Sequence, residues 1–268
     1  MEFRIHIQIR IQIQIRSIDF AFSLKTKMTV FTWKGERDTI MTPSDSIRYY
    51  KHFLQTGLMS MEPQTGHVKA WVGGINYKYF QYDHVGQGAR QVGSTFKPFV
   101  YATAIEQLNM SPCDSIIDSP FTIPVGRHHV TETWTPANSD NKYRGMVTLK
   151  KALANSINTV SAKLMDKVGP EKVVELAKKL GIKSEIPLQP SIALGAVDIT
   201  VQDMVAAYST FANQGVYIKP QFITRIEDKN GVVLYEPIPE SHDVLNKDVA
   251  FAVIKLLEGV TEEGSGSR

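Results

Sequence analysis

The sequence predicts an α+β fold in which helices pack around an antiparallel sheet. Three observations carry that reading. Helix-spaced apolar runs end at glycines such as Gly181 and Gly215, and short alternating runs face each other across turn signals. The 268 residues, 43% hydrophobic with a net charge of +3, also hold enough apolar material for a sizeable core.

In chain order, Ile5, Ile7, Ile9, Ile11, Ile13 and Ile15 alternate with polar residues, a period of two that favours an amphipathic strand. An edge strand, an aggregation-prone segment and the product of an incomplete gene model all fit it, the last being favoured. The stretch is too polar to cross a membrane, and neither a transmembrane helix nor a signal-peptide core is present. Residues 58–62 and 67–72 form a hairpin candidate around Pro63-Gln64-Thr65-Gly66, ended by Gly73-Gly74. Helices are expected over 94–107, 148–168, 170–180 and 200–214, the second with a junction at Ser156 between two apolar-periodic runs, and Thr200 and Asp203 signal a capped start to the last. Residues 216–227 and 232–235 read as strands joined through Asp228-Lys229-Asn230-Gly231, and a final helix is expected over 246–258.

Composition removes several functions. The basic residues are too dispersed for nucleic-acid binding, and alternating signs over 167–183 describe a solvated helix face. The single Cys113 excludes an intrachain disulfide and leaves the redox compartment open. His128 and His129 are adjacent rather than at ligand spacing, so no metal is expected. Gly73-Gly74 and Gly86-x-Gly88 lack a phosphate-loop or dinucleotide pattern, so nucleotide binding is not expected.

The chemistry lies in Gly93-Ser94-Thr95-Phe96-Lys97-Pro98-Phe99-Val100. A loop-like stretch precedes it and helix-spaced apolar residues follow, so Ser94 should open a helix with Lys97 one turn on, on the same face. A serine hydroxyl needs an adjacent base, and a lysine serves only where a desolvated pocket or nearby cations depress its pKa. A helix N-terminus adds a field that favours a developing oxyanion, and Pro98 is tolerated in a first turn. The spacing alone is weak: a Ser-x-x-Lys tetrad arises about once by chance in such a chain. A second one, Ser139-Asp140-Asn141-Lys142, lies in a polar run that reads as a turn and is taken as a decoy.

The run Arg90 to Phe99 resembles the active-serine box of the class A penicillin-binding proteins, bacterial enzymes that polymerise and cross-link peptidoglycan. Three further blocks fit that family in order: Trp134-Thr135-Pro136-Ala137-Asn138 followed by Gly145-Met146-Val147-Thr148-Leu149; Ala152-Leu153-Ala154-Asn155-Ser156-Ile157-Asn158, similar to the second, Ser-x-Asn box; and Leu194-Gly195-Ala196 with Phe211-Ala212-Asn213-Gln214-Gly215. The likeness runs from about Phe31 to the C-terminus. It divides the chain into an atypical segment over 1–25, a connector over 26–57 and a partial transpeptidase domain over 58–268, of the fold shared with serine β-lactamases.

The resemblance implies a D-Ala-D-Ala transpeptidase with Ser94 as nucleophile, Lys97 as the base that takes its proton, Ser156 as proton relay between Lys97 and the leaving or attacking amine, Asn158 on the substrate amide, and no metal or organic cofactor. Trp134, in a loop after Thr133, is a candidate to line the cleft. Peptidoglycan stem peptides and β-lactams are the implied ligands, at the periplasmic face of the inner membrane. No Lys-Thr-Gly box occurs in the sequence, so the chain is expected to be truncated before the strand that carries it. One of two oxyanion donors would then be missing, which typically costs on the order of 100- to 1,000-fold in rate. A D,D-carboxypeptidase, a β-lactamase-like hydrolase and an inactive binding remnant remain as alternatives. Tyr208 and Phe211, three apart on a helix, are expected in the core.

Overall fold

The computed structural model describes residues 20–267, and the alternating isoleucines lie outside them. The described chain divides into two compact units: one runs up to Thr56 and takes in Ile75–Gln81, the other comprises Gly57–Gly74 and the chain from Tyr82 onward.

The first unit is more ordered than a connector suggests. Strands β1 (Thr26–Thr32) and β2 (Gly35–Met41) form a hairpin in register from Thr26↔Met41 to Thr32↔Gly35. Helix α1 (Pro43–Lys51) follows, its first turn capped by the Thr42 hydroxyl, which accepts from the Asp45 N–H. Phe31 is buried among Trp33, Phe53, Tyr79 and Phe80 in edge-on and tilted ring contacts. The signal was available in the aromatic spacing, which the sequence reading did not use.

The second unit carries the remaining elements. Strands β3 (Leu58–Met61) and β4 (Val68–Val72) pair antiparallel as expected. Strand β5 (Arg90–Gln91) leads through a 3₁₀ turn over Gly93–Phe96 into helix α2 (Lys97–Leu108). Strands β6 (Ser115–Asp118) and β7 (Gly145–Thr148) pair antiparallel across a long excursion. Helices α3 (Leu149–Ala154), α4 (Asn158–Val168) and α5 (Pro170–Lys179) come next, then a 3₁₀ turn over Pro190–Leu194 and β8 (Asp198–Ile199), paired with β5. Helix α6 (Val201–Ala212) starts at its Thr200 cap, β9 (Val216–Ile218) pairs with β12 (Ser241–Asp243), β10 (Ile226–Glu227) pairs with β11 (Val233–Tyr235), and α7 (Lys247–Glu262) closes the order.

The fold is therefore α+β with antiparallel pairing, arranged among the described residues as two-stranded ribbons. The core is helical: Phe99, Val100 and Ala104 of α2 belong to one cluster with Val160 and Leu164 of α4, Leu176 of α5, Phe211 of α6 and Val253 and Leu256 of α7.

Three boundaries refine the sequence reading. The helix expected from Ser94 becomes α-helical only at Lys97, with Ser94 in the 3₁₀ turn. The helical stretch expected over 148–168 is two helices, cut at 155–157 where the junction at Ser156 was expected, and Ser156 there adopts a left-handed φ of 52°. The strand expected over 216–227 survives only at its ends, because Pro220 has no N–H for a ladder and Gln221 pairs elsewhere, donating to the Gly66 carbonyl and accepting from the Val68 N–H.

Candidate active site

The break between α3 and α4 creates the site. The Ser156 N–H donates to Leu153 O and the Ile157 N–H to Ala152 O, closing α3 and turning the chain so that α4 starts afresh at Asn158. A helix that continued would use the Ser156 carbonyl internally; here that carbonyl accepts from Lys97 Nζ at 2.7 Å.

Lys97 is fully buried at the start of α2. Its ammonium spends its three donors on Ser156 O, on Ser156 Oγ at 2.9 Å and on Asn158 Oδ1 at 2.7 Å. Among the described residues no carboxylate forms an ion pair with it. Burial therefore acts unopposed and pushes its pKa down to about 8.

Ser156 Oγ in turn hydrogen-bonds Ser94 Oγ at 2.9 Å, and Ser94 is exposed. The expected pairing of Ser94 with Lys97 is thus indirect: the i to i+3 spacing puts both on one side of the turn, but the hydrogen-bonded route runs Lys97, Ser156, Ser94.

The turn carrying Ser94 is fixed from the far side. Gly93 N–H donates to Gly195 O at 3.1 Å and Val92 N–H to Val197 O, extending the β5–β8 pairing. Gly195 has φ +73°, and a Cβ there would lie 1.9 Å from the Gly93 carbonyl oxygen, so the close approach admits only glycine. The Tyr208 hydroxyl donates to Thr95 O at 2.7 Å. Beside this turn an apolar groove of about 660 Å³ is lined by Val92, Thr95, Ile199, Met204 and Tyr208.

Of the predicted site residues, Ser94, Lys97, Ser156 and Asn158 come together. The Asn158 side chain is already engaged, its Nδ2 donating to Ala137 O at 2.8 Å while Oδ1 accepts from Lys97. Trp134 is half-buried, packs against the core and pairs its backbone with Ile123. The decoy Ser139 and Lys142 sit in an exposed turn. His128 Nε2 lies 3.0 Å from Asp166 Oδ1, and Arg127 forms an ion pair with the same carboxylate. Phe211 is buried as expected, whereas Tyr208 is only half-buried.

Sequence reasoning missed Asp118, Thr159 and the role of Asn138. Asp118 is buried, and desolvation raises its pKa, but hydrogen bonds from Thr159, Asn138 and the Arg144 N–H outweigh that and hold it below the usual carboxylate range. The only available signal was an aspartate ending an apolar strand.

An exposed serine hydrogen-bonded through a second serine to a buried lysine sits on a fold of known class: residues 56–268 match the penicillin-binding protein transpeptidase domain and residues 10–54 the penicillin-binding protein middle domain. The chain belongs to the penicillin-binding protein transpeptidase family. It is 41% identical over 217 residues to penicillin-binding protein 1A of Aquifex aeolicus (strain VF5), covering 80% of this chain and 29% of that protein. The crystal structure of penicillin-binding protein 1A from Haemophilus influenzae superimposes with a TM-score of 0.72 at 25% identity, over 79% of this chain and 36% of the other. The PonA1 protein of Mycobacterium tuberculosis in complex with penicillin V shares the fold, with a TM-score of 0.66 at 24% identity over 92% of this chain and 66% of the other. The chain spans less than a third of the length of its Aquifex relative. No helix among the described residues is long and apolar enough to cross a membrane.

Proposed function

We propose that this chain acts as a serine D-Ala-D-Ala transpeptidase that cross-links peptidoglycan stem peptides through an acyl-enzyme on Ser94. The observation that carries the reading is Lys97, a buried amine with its pKa pushed down to about 8 and a hydroxyl relay to an exposed serine. Neutral Lys97 accepts a proton from Ser156 as Ser156 takes the proton of Ser94, whose oxygen bonds to the carbonyl carbon of the penultimate D-Ala. The C–N bond to the terminal D-Ala breaks, and its nitrogen receives the proton back through the same relay. An amino group of a neighbouring stem then attacks the ester, gives its proton to the relay, and Ser94 leaves with a proton restored. Asn158 would offer its second amide hydrogen to the substrate, and Trp134 would line the cleft.

A β-lactam enters at the first step; its ring amide opens but the nitrogen remains tethered, so the acyl-enzyme persists. The family relationship, together with the penicillin V complex of PonA1, supports this ligand class. On this reading the protein works at the periplasmic face of the bacterial inner membrane, where its substrate lies.

The test is to incubate the folded chain with a fluorescent penicillin and read the intact mass beside a Ser94→Ala variant. One covalent adduct, absent from the variant, is expected. An adduct that persists in Ser94→Ala, or a folded chain that forms none, overturns the proposal. An adduct that turns over rapidly in water would instead identify a hydrolase.

A further inference from the structure

The second box is held from outside its own helix, and we infer that Asn138, locked in one orientation by the buried carboxylate of Asp118, is a positioning residue for Asn158 and through it for Lys97. Helix α4 begins after Ile157, whose apolar side chain caps nothing. The cap comes instead from a loop twenty positions earlier: Asn138 Oδ1 accepts from the Asn158 N–H at 2.9 Å and from the Thr159 N–H at 3.2 Å.

The amide can sit only one way. Asn138 Nδ2 donates to Asp118 Oδ1 at 2.9 Å and to Lys142 O at 2.8 Å, so both donors and both acceptor positions of its side chain are in use. Flipping it would set an NH₂ group against two N–H donors and an oxygen against a carboxylate and a carbonyl. Asn138 is only 4% exposed and Asp118 1%, so no solvent would relieve those contacts.

Asp118 is held in turn. Its carboxylate receives Thr159 Oγ1 and the Arg144 N–H, with the Arg144 guanidinium at 3.8 Å and the Lys163 ammonium also acting on it. The preceding residue completes the grip on the second box, since Ala137 O accepts from Asn158 Nδ2 and leaves Oδ1 facing Lys97. The Ala137-Asn138 dipeptide thus fixes both the backbone and the side-chain direction of Asn158. Neither residue touches Lys97 or Ser94 through a hydrogen bond, so the effect is positional. What this does to acylation rests on the function proposed above; the anchoring itself does not.

Two variants separate the possibilities. Asn138→Ala removes the cap, while Asn138→Asp keeps the acceptors but sets a second carboxylate against Asp118. Amide hydrogen exchange and penicillin acylation would be measured on both, with Ser139→Ala as control. At neutral pH, protection at the Asn158 and Thr159 N–H groups should fall by about ten- to a hundred-fold in both variants while that of Leu164, further along α4, holds. Acylation should slow by a comparable factor. On acidification, protection should return in Asn138→Asp, where a proton shared between the two carboxyls replaces the lost donor, and stay lost in Asn138→Ala. Should Asn138→Ala fail to fold, the acid-dependent recovery of Asn138→Asp decides alone.

Unchanged protection at Asn158 and Thr159, or a loss spread equally to Leu164, would overturn the inference. So would lost protection with unchanged acylation, since Asn138 would then anchor without positioning. If the unsubstituted chain is not acylated at all, the functional proposal fails while the exchange data still decide whether Asn138 fixes the second box.

Discussion

Two Ser-x-x-Lys tetrads of identical spacing lie in this chain, and the structure treats them oppositely. In Ser94 to Lys97 the lysine is fully buried, its ammonium meets three oxygen acceptors and no carboxylate, and the serine receives a hydrogen bond from Ser156. In Ser139 to Lys142 both residues are exposed in a turn, and the hydrogen bonds of Lys142 are made by its backbone: its N–H donates to Asp140 and its carbonyl accepts from Asn138 and from the Arg144 guanidinium. Spacing therefore does not make a dyad. What separates the two is a helix packed so deeply that its first residue loses water, and a second helix broken where its carbonyl and hydroxyl can meet the amine.

Substitution at the two lysines gives the largest expected contrast. Lys97→Ala should slow acylation by on the order of 100- to 10,000-fold, the range for loss of a positioned base, while Lys142→Ala leaves it unchanged because only the backbone of Lys142 is used. Rate constants for fluorescent penicillin labelling measure both. Equal losses at the two positions would sink the distinction drawn here. Ser156→Ala should fall next, by about 10- to 1,000-fold, since it removes the hydroxyl that bridges Lys97 and Ser94 and leaves the amine in place.

The pH dependence sharpens the contrast further. Lys97 must be neutral to accept a proton, so acylation should rise with pH and level off above about 8, where the amine titrates. Stability follows the same group. In the unfolded chain a lysine keeps its proton to about pH 10.4, whereas in the fold Lys97 releases it at about 8. The unfolded state therefore binds more protons between those values, and stability should climb with pH across that window. Below it both states are charged and the desolvation cost is carried in full. Chemical denaturation at several pH values checks this, and a slope unaltered by Lys97→Met would assign the effect elsewhere.

Much of this was legible in the residues. The hairpin over Leu58–Val72, the Thr200 cap, the glycine stops and the run from Gly93 to Phe99 are local signals, and local signals survive folding. The break at Ser156 was half-legible: two apolar-periodic runs flank it as at a helix junction, but nothing in them marks Ser156 as left-handed. Asp118 and Asn138 were illegible as a pair, because their contact spans twenty residues and depends on how β6 and β7 bring two loops together. The indirect route from Lys97 to Ser94 was lost for the same reason. Helix spacing places two side chains on one face but does not say which third residue enters between them.

The smallest predicted effect concerns Tyr208, expected in the core and found at its edge. Its hydroxyl donates to Thr95 O at 2.7 Å, next to Ser94, and burial raises its pKa so that it remains a donor at neutral pH. Tyr208→Phe keeps the ring contacts with Phe99 and Phe211 and removes one hydrogen bond, costing about 1 kcal/mol. That corresponds to a fall of roughly 2–4 °C in Tm for a chain of this size. Labelling should change by less than about threefold, because the Ser94 turn has other ties: Thr95 Oγ1 donates to Val92 O, and Gly93 is held by Gly195. A variant with normal Tm and a large loss of labelling would contradict that redundancy. The Tyr208 hydroxyl, rather than the β5–β8 pairing, would then be what sets the direction of Ser94.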